Sequence, residues 1–299
     1  MTEQRTDYSV YDAKSYVVAK LIQGVLLLLR LIPYRGRVAL GGLFFEYIVS
    51  PLSGNRKRIL RNLKLIAPEL GDAEMRRIAR AVPNNIGRTL TELFFPEDFL
   101  NTIKDTPVKG PGLDALIKAR NAGKPVILVS GHIGNYDVIR GNVVRLGYPI
   151  GSLYKPMRNG YFNDYYLASI SKIGAPMFPT IGKSMGDMIT HLKNGGMIAL
   201  MMDQHMKTGE PLQFMGKVAY TPVSAPKMAL KYDAVLLPCF STREPDGIHH
   251  VMHMEAPIEH GDPLVMAQQM NDLLEKHVRR HMDQWLWTHR RWKGSHPEV

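Results

Sequence analysis

The stretch Pro125–Asp137, PVILVSGHIGNYD, decides how the rest of the chain is read. It opens as a short apolar run and ends in a histidine, with an aspartate five residues further on. Five residues advance an α-helix by about 500°, so His132 and Asp137 do not share a helical face. They can meet only if the chain turns between them, and Gly131, Gly134 and Asn135 are residues that permit a turn. A buried run that delivers a histidine and a carboxylate to its exit is a place for proton transfer.

Outward from that stretch, short apolar runs alternate with amphipathic segments. Val126–Val129 is followed by Val138–Leu146, Ile150–Tyr154 by Tyr161–Ile173, and Met177–Phe178 by Ser184–Leu192. Met197–Met202, Val223–Leu230 and Val235–Phe240 continue the pattern, with Ile248–Glu255 as a further strand and Pro263–Met282 as a long closing helix. The alternation predicts an α/β fold, a mixed, mostly parallel sheet flanked by helices. No internal repeat or low-complexity tract interrupts it.

The N-terminal third is different. From Tyr16 the sequence YVVAKLIQGVLLLLRLIPY is apolar but broken by Lys20 and Arg30, and Val38–Leu52 is a second apolar stretch. The span between the two charges is short for a bilayer crossing, and no small-residue cleavage site marks a secretory signal. Either a tilted span with snorkelling Lys20 and Arg30 or a helix lying in the interface is expected, core helices of a soluble domain being the alternative. Asn55–Lys64, with Arg56, Lys57, Arg58, Arg61 and Lys64, would suit an anionic leaflet. Asp72 is a candidate N-cap for a helix that Pro83 interrupts, with a second helix over Asn84–Phe95. Residues 1–100 thus read as a helical, membrane-associating region and residues 101–299 as the α/β domain, the two forming one continuous unit.

The chain has 299 residues, 45% hydrophobic and 22% charged, enough for a sizeable core. Lys and Arg number 38 against 27 acidic residues, which favours anionic partners. Basic residues interleaved with exposed aromatics are missing, so nucleic acid is not an expected partner. The single cysteine, Cys239, excludes an intrachain disulfide and a zinc cluster, and its apolar surroundings predict a buried inert thiol.

In open α/β sheets ligands bind beyond the carboxyl ends of the strands. His132 and Asp137 follow the first run, Lys155 and Arg158 the second, and Asp203 and Gln204 the Met197–Met202 run, so three turns bring polar groups to one sheet edge. Asp137 could instead serve as a first-turn acid and Asp203 as a helix cap. A rival site exists: Gly182–Gly186 matches G-x-S-x-G, the nucleophile elbow of hydrolases, with acids and histidines following. Pro176 and Pro179 in the preceding run count against it, because proline is poorly tolerated in a central strand. Ser184 reads instead as the N-cap of the next helix, and no H-E-x-x-H or Cys/His cluster suggests a metal.

SGHIGNYDV resembles the H-x4-D/E block of the lysophospholipid acyltransferase superfamily, and more specifically of bacterial lipid A late acyltransferases and their phosphatidylinositol mannoside acyltransferase relatives. The resemblance extends through NLKLIAPEL (Asn62–Leu70), NIGRTLTELF (Asn85–Phe94), YKPMRN, MMDQH and the closing WLWTHRRWK (Trp285–Lys293). The late lipid A enzymes usually carry glutamate where this chain has Asp137, and a family arginine 31 residues before the DQ/DH aspartate falls here on Lys172. The resemblance implies a membrane-associated transferase at the cytoplasmic face of the bacterial inner membrane. It would move a fatty acyl group from acyl carrier protein or CoA to a lipid hydroxyl without a further cofactor. It implies His132 as general base and Asp137 as the acid that holds its imidazole. Gly131, Asn135, Lys155, Arg158, Lys172, Asp203 and Gln204 would be substrate contacts, the basic ones meeting the acceptor or the acidic carrier. Backbone N–H groups near Gly131, or Arg158 or Lys172, would stabilise the oxyanion, and Asp203 would orient one of these cations.

Overall fold

The structure, a computed structural model, describes residues 8–295. Helices come first: α1 (Ala13–Leu29), α2 (Tyr34–Phe44), a π-helical turn at Phe45–Val49, α3 (Ser50–Ser53), α4 (Asn55–Ile66), α5 (Asp72–Phe94) and α6 (Pro96–Ile103). The sheet region then runs β1 (Val108–Lys109), α7 (Gly112–Asn121), β2 (Val126–Ser130), α8 (Asp137–Arg145), β3 (Ile150–Tyr154), α9 (Gly160–Ile173) and β4 (Met177–Pro179). It continues with α10 (Ser184–Lys193), β5 (Met197–Met201), β6 (Glu210–Phe214), β7 (Lys217–Thr221), α11 (Ser224–Tyr232), β8 (Val235–Arg243), β9 (His250–Met254) and α12 (Pro263–Arg280).

Seven strands form one sheet in the order β1-β9-β8-β2-β5-β3-β4. Every pairing in it is parallel except β8 with β9, so the expected mixed, mostly parallel sheet is present. β2 lies at its centre with all five residues buried, which is why its sequence is a continuous apolar run rather than an alternating one. β4 is an outermost strand, and it ends on Pro179 at an edge where a missing N–H costs no ladder bond. The G-x-S-x-G segment therefore follows an edge strand. Ser184 is the first residue of α10, with Lys183 in the cap position, so it is not the expected N-cap.

One core cluster joins one face of β2 (Ile127, Val129) and of β5 (Ile198, Leu200) to α4, α5, α11 and α12. Trp285, Trp287 and Trp292 are fully buried in it. The hairpin of β6 and β7 packs on α12 and escaped the sequence reading. Its two-residue turn is Met215-Gly216, both at positive φ (55° and 73°), and methionine gives none of the usual Asn-Gly or Asp-Gly signal. Cys239 is buried in β8, and burial pushes its thiol pKa up, as expected of an inert thiol.

Two expectations fail in α5. Pro83 sits inside one continuous helix, and Asp72 is its first residue, with Gly71 in the cap position. The hydrogen bond lost at Pro83 is offset by packing: Val82, Pro83 and Gly87 are all buried. Gly87 lies so close to Gly41 of α2 that a Cβ would overlap the Gly41 carbonyl.

Among the described residues no helix is long and apolar enough to cross a membrane. The N-terminal helices instead expose apolar side chains: Val17, Leu21, Val25, Leu27 and Leu28 on α1, and Leu40, Leu43, Phe44, Tyr47, Ile48 and Leu52 on the segment from α2 to α3. On α4, Ile59, Leu63 and Ile66 face the core, which leaves Lys57, Arg61 and Lys64 in solvent.

Candidate active site

The register of the central strands builds the site. β2 and β5 pair in parallel with Ser130 opposite Met201, and the N–H of Met202 donates to the Ser130 carbonyl at 2.9 Å. Two residues beyond that pair, on each chain, stand His132 and Asp203. His132 Nδ1 lies 2.7 Å from Asp203 Oδ1, and the His132 backbone N–H donates to Asp203 Oδ2 at 2.7 Å. Trp285 Nε1 donates to the same Oδ2 at 2.9 Å. Gly131 makes the approach possible, since a Cβ there would collide with Leu274 and press on Asp203.

Asp203 is buried, and burial alone would raise its pKa. The charge and hydrogen bonds of His132, with the Trp285 donor, outweigh this and hold its carboxyl below the ordinary range. Burial likewise pulls the His132 imidazole down, but the charge and hydrogen bond of Asp203, helped by the charge of Asp137, leave its pKa raised. An ionised carboxylate only accepts, so Nδ1 carries the proton and Nε2 of neutral His132 is left with its lone pair. The side chain is 20% exposed, and the Tyr136 ring stands edge-on to it with centroids 5.2 Å apart.

Asp137 does not hold the imidazole. It opens α8, its N–H donates to Asn135 Oδ1 at 3.0 Å, and its carboxylate pairs with Arg140 Nη1 at 2.5 Å. The Nη2 group of Arg140 donates to the Ile170 and Gly174 carbonyls at the C-terminus of α9, at 3.0 and 2.7 Å. Asp137 therefore ties the start of α8 to the end of α9 through one buried arginine. Its influence on His132 is the field of its charge.

The turn carrying His132 is braced from three sides. Gly134 has φ +57°, and a Cβ there would overlap the Ser241 carbonyl, so glycine is required twice over. Its carbonyl accepts from Asn85 Nδ2 at 3.0 Å, and its N–H donates to the Gln284 carbonyl at 3.1 Å. Asn135 Nδ2 donates to Glu92 Oε2 at 2.7 Å, and Glu92 is held by both terminal nitrogens of Arg243 at 2.5 and 2.7 Å. Arg243 Nε reaches Asn85 Oδ1 at 2.9 Å, closing the network. Asn135 is thus an internal brace rather than a substrate contact. The sequence reading assigned no role to Asn85, Glu92, Arg243 or Gln284, although Asn85, Thr89 and Glu92 at i, i+4 and i+7 share one helix face.

Other expected residues lie elsewhere. Lys172 is exposed and pairs with Glu97 at 2.5 Å. Lys155, Arg158 and Gln204 are exposed on the loops after β3 and β5, at the same sheet edge as His132 but without a hydrogen bond to it. Asp203 orients the histidine itself rather than a cation. The expected backbone oxyanion donors are largely consumed: the N–H groups of His132, Ile133 and Gly134 go to Asp203, the Gly131 carbonyl and the Gln284 carbonyl. The closing WLWTHRRWK forms the wall behind the pair. Asn62 of α4 donates to the Trp287 and His289 carbonyls at 2.7 and 3.0 Å, and Arg291 is buried with its terminal nitrogens on Tyr220 and Thr221.

The chain is similar to known proteins. A lipid A biosynthesis acyltransferase of Haemophilus influenzae is 22% identical over 269 residues, covering 88% of this chain and 83% of that protein. Phosphatidylinositol mannoside acyltransferases from two strains of Mycobacterium tuberculosis are 22% identical over 185 residues, 60% of this chain. The match spans 58% of the length of those relatives. The family model of bacterial lipid A biosynthesis acyltransferases matches residues 7–294, nearly the whole length. The chain belongs to the bacterial lipid A biosynthesis acyltransferase family.

Proposed function

We propose that this protein is a lipid O-acyltransferase in which His132 is the general base and Asp203, not Asp137, is its partner. The observation that carries the reading is the two-point grip of Asp203 on His132, which fixes the tautomer and leaves Nε2 to receive a proton. The acceptor hydroxyl gives its proton to Nε2 as its oxygen attacks the carbonyl carbon of an acyl thioester. The tetrahedral intermediate collapses, the C–S bond breaks, and the thiolate takes the proton back from the imidazolium. An ester and a free thiol result. The step needs no covalent acyl-enzyme and no cofactor beyond the thioester.

The donor is an acyl thioester of acyl carrier protein or CoA, and the acceptor a hydroxyl of a lipid A precursor or a related bacterial lipid. Two observations support this class of substrate. The family relatives are acyltransferases of lipid A and of phosphatidylinositol mannoside. The exposed apolar side chains of α1 and of the segment from α2 to α3, with Lys57, Arg61 and Lys64 of α4, suit a helical layer resting on an anionic leaflet. We place it at the cytoplasmic face of the inner membrane, where thioester donors are made.

The test is His132→Ala, assayed for transfer of a radiolabelled acyl chain to extracted lipid. A loss of about 10³-fold or more is expected, the range of a general base. Turnover near that of the wild-type protein would refute the mechanism.

A further inference from the structure

A groove of about 1160 Å³ runs along α5 from Glu74 to Arg88, walled by the π-helical turn, the Glu244–Gly247 turn and the segment that follows α12. At the rise of a helix this is about 21 Å of length. Neither His132 nor Asp203 lines it. Its lining holds Arg76, Arg77, Arg80, Arg88, Arg243, Arg279 and Arg280 against the carboxylates of Glu46, Glu74, Glu244 and Asp283.

The pairing within the groove is uneven. Arg77 is taken up by Glu74 and Asp283, Arg80 by Glu46, Arg243 by Glu92 and Arg279 by Glu275. Arg76 reaches only Asp72, at 3.9 Å on an open surface. Among the described residues no carboxylate oxygen lies within 4.0 Å of Arg88 or Arg280. Arg88 is half-buried, donating to Asn84 Oδ1 and the Gly247 carbonyl, and burial with the neighbouring Arg243 charge outweighs the charges of Glu92, Asp246 and Glu46 and leaves its pKa lowered. A cation left half-desolvated beside another cation is stabilised by an incoming anion.

The groove also meets the apolar layer. Arg80 sits over the Tyr47 ring at 5.4 Å while bonding its hydroxyl and Glu46, and Tyr47 with Ile48, Phe44 and Leu43 forms part of the exposed apolar surface. Apolar side chains and guanidinium groups thus share one border at Tyr47 and Arg80, the arrangement of a surface that sees acyl chains and phosphates together.

We propose that this groove binds the phosphate groups of anionic membrane lipids, with exposed Arg76 and Arg280 and half-buried Arg88 as the residues that meet them. This rests on the membrane-surface reading above. It adds a defined headgroup site, distinct from the reacting centre.

The experiment is sedimentation of the full-length protein with phosphatidylcholine vesicles doped with phosphatidylglycerol, against pure phosphatidylcholine. Arg76→Gln/Arg280→Gln should bind the anionic vesicles about 30-fold more weakly, since each basic residue near such a surface contributes roughly fivefold. A control pair of exposed lysines outside the groove, Lys118→Gln/Lys227→Gln, should lose no more than about threefold. Equal losses in both pairs would reduce the effect to net charge and overturn the site. Unchanged binding of the arginine pair would also overturn it, leaving the groove to an acidic protein. Displacement by inorganic phosphate alone would assign the site to free phosphate instead, whereas retention in phosphate buffer supports the lipid. His132→Ala runs in parallel. Should the protein prove inactive yet show groove-dependent binding, the reaction fails and the site stands; an active protein indifferent to the arginine pair shows the reverse.

Discussion

Asp203 and Asp137 are both buried carboxylates near one histidine, and they do opposite jobs. Asp203 lies 71 residues from His132 in the chain yet makes two direct contacts with it. Asp137 lies five residues away and turns instead to Arg140. The difference is one of register against local geometry. Parallel pairing of β2 with β5 carries Asp203 to the histidine, while the turn through Gly134 commits Asp137 to the first turn of α8. A carboxylate close in sequence was the natural partner to expect. A carboxylate on the neighbouring strand is the one the fold supplies.

Three substitutions separate these roles. The largest effect on activity is expected for Asp203→Asn, a loss of about 10²–10⁴ in kcat/KM, because the amide no longer fixes the Nδ1–H tautomer. The same change removes the charge that raises His132 and leaves burial, which lowers it. His132 acts as a base only when neutral, so the acid limb of the pH–rate profile should move to lower pH. In the wild-type protein that limb should lie above the ordinary histidine value of 6.5. A pH–rate profile unmoved by Asp203→Asn would return the role to Asp137.

Asp137→Asn is expected to act mainly on stability. It leaves the buried Arg140 guanidinium without its counter-charge, a loss of about 3–5 kcal/mol measurable by denaturant unfolding. The acid limb should shift only slightly, as Asp137 touches His132 through its field alone. Loss of transfer with full stability would contradict this assignment.

Trp285→Phe should be the smallest of the three. It deletes one of the donors to Asp203 and keeps the aromatic bulk, with an expected loss of about tenfold in kcat. A less stabilised carboxylate attracts its proton more strongly, so the His132 pKa should rise and the acid limb move up. That direction is opposite to Asp203→Asn. A shared direction would mean that the tryptophan only packs.

Much of the fold was readable because its signals are local. The unbroken apolar run Val126–Val129 announces a strand buried on both faces, and the 3.6-residue patterns of Tyr161–Ile173 and Pro263–Met282 announce their helices. Local signals misled at Pro83, where packing of α5 on α2 outweighs the missing N–H, and at Met215-Gly216, where the turn lacks the residues that usually mark it. The candidate site was legible in part. The glycines at 131 and 134, the histidine and the aspartate after β5 are all in the motif-bearing turns. Trp285 and Glu92 were not assignable, since a tryptophan or a helix-face glutamate carries no sign of what it will meet.

The sequence by itself determined the class of fold, the histidine at the exit of the central strand, the basic surplus and the apolar N-terminal helices, because each depends on composition or on spacing within one element. Only the tertiary structure decided which carboxylate serves the histidine, which arginines are already spent in ion pairs, and which glycines allow close approach. Those are contacts between elements far apart in the chain, fixed by strand register and side-chain packing, and no periodicity records them.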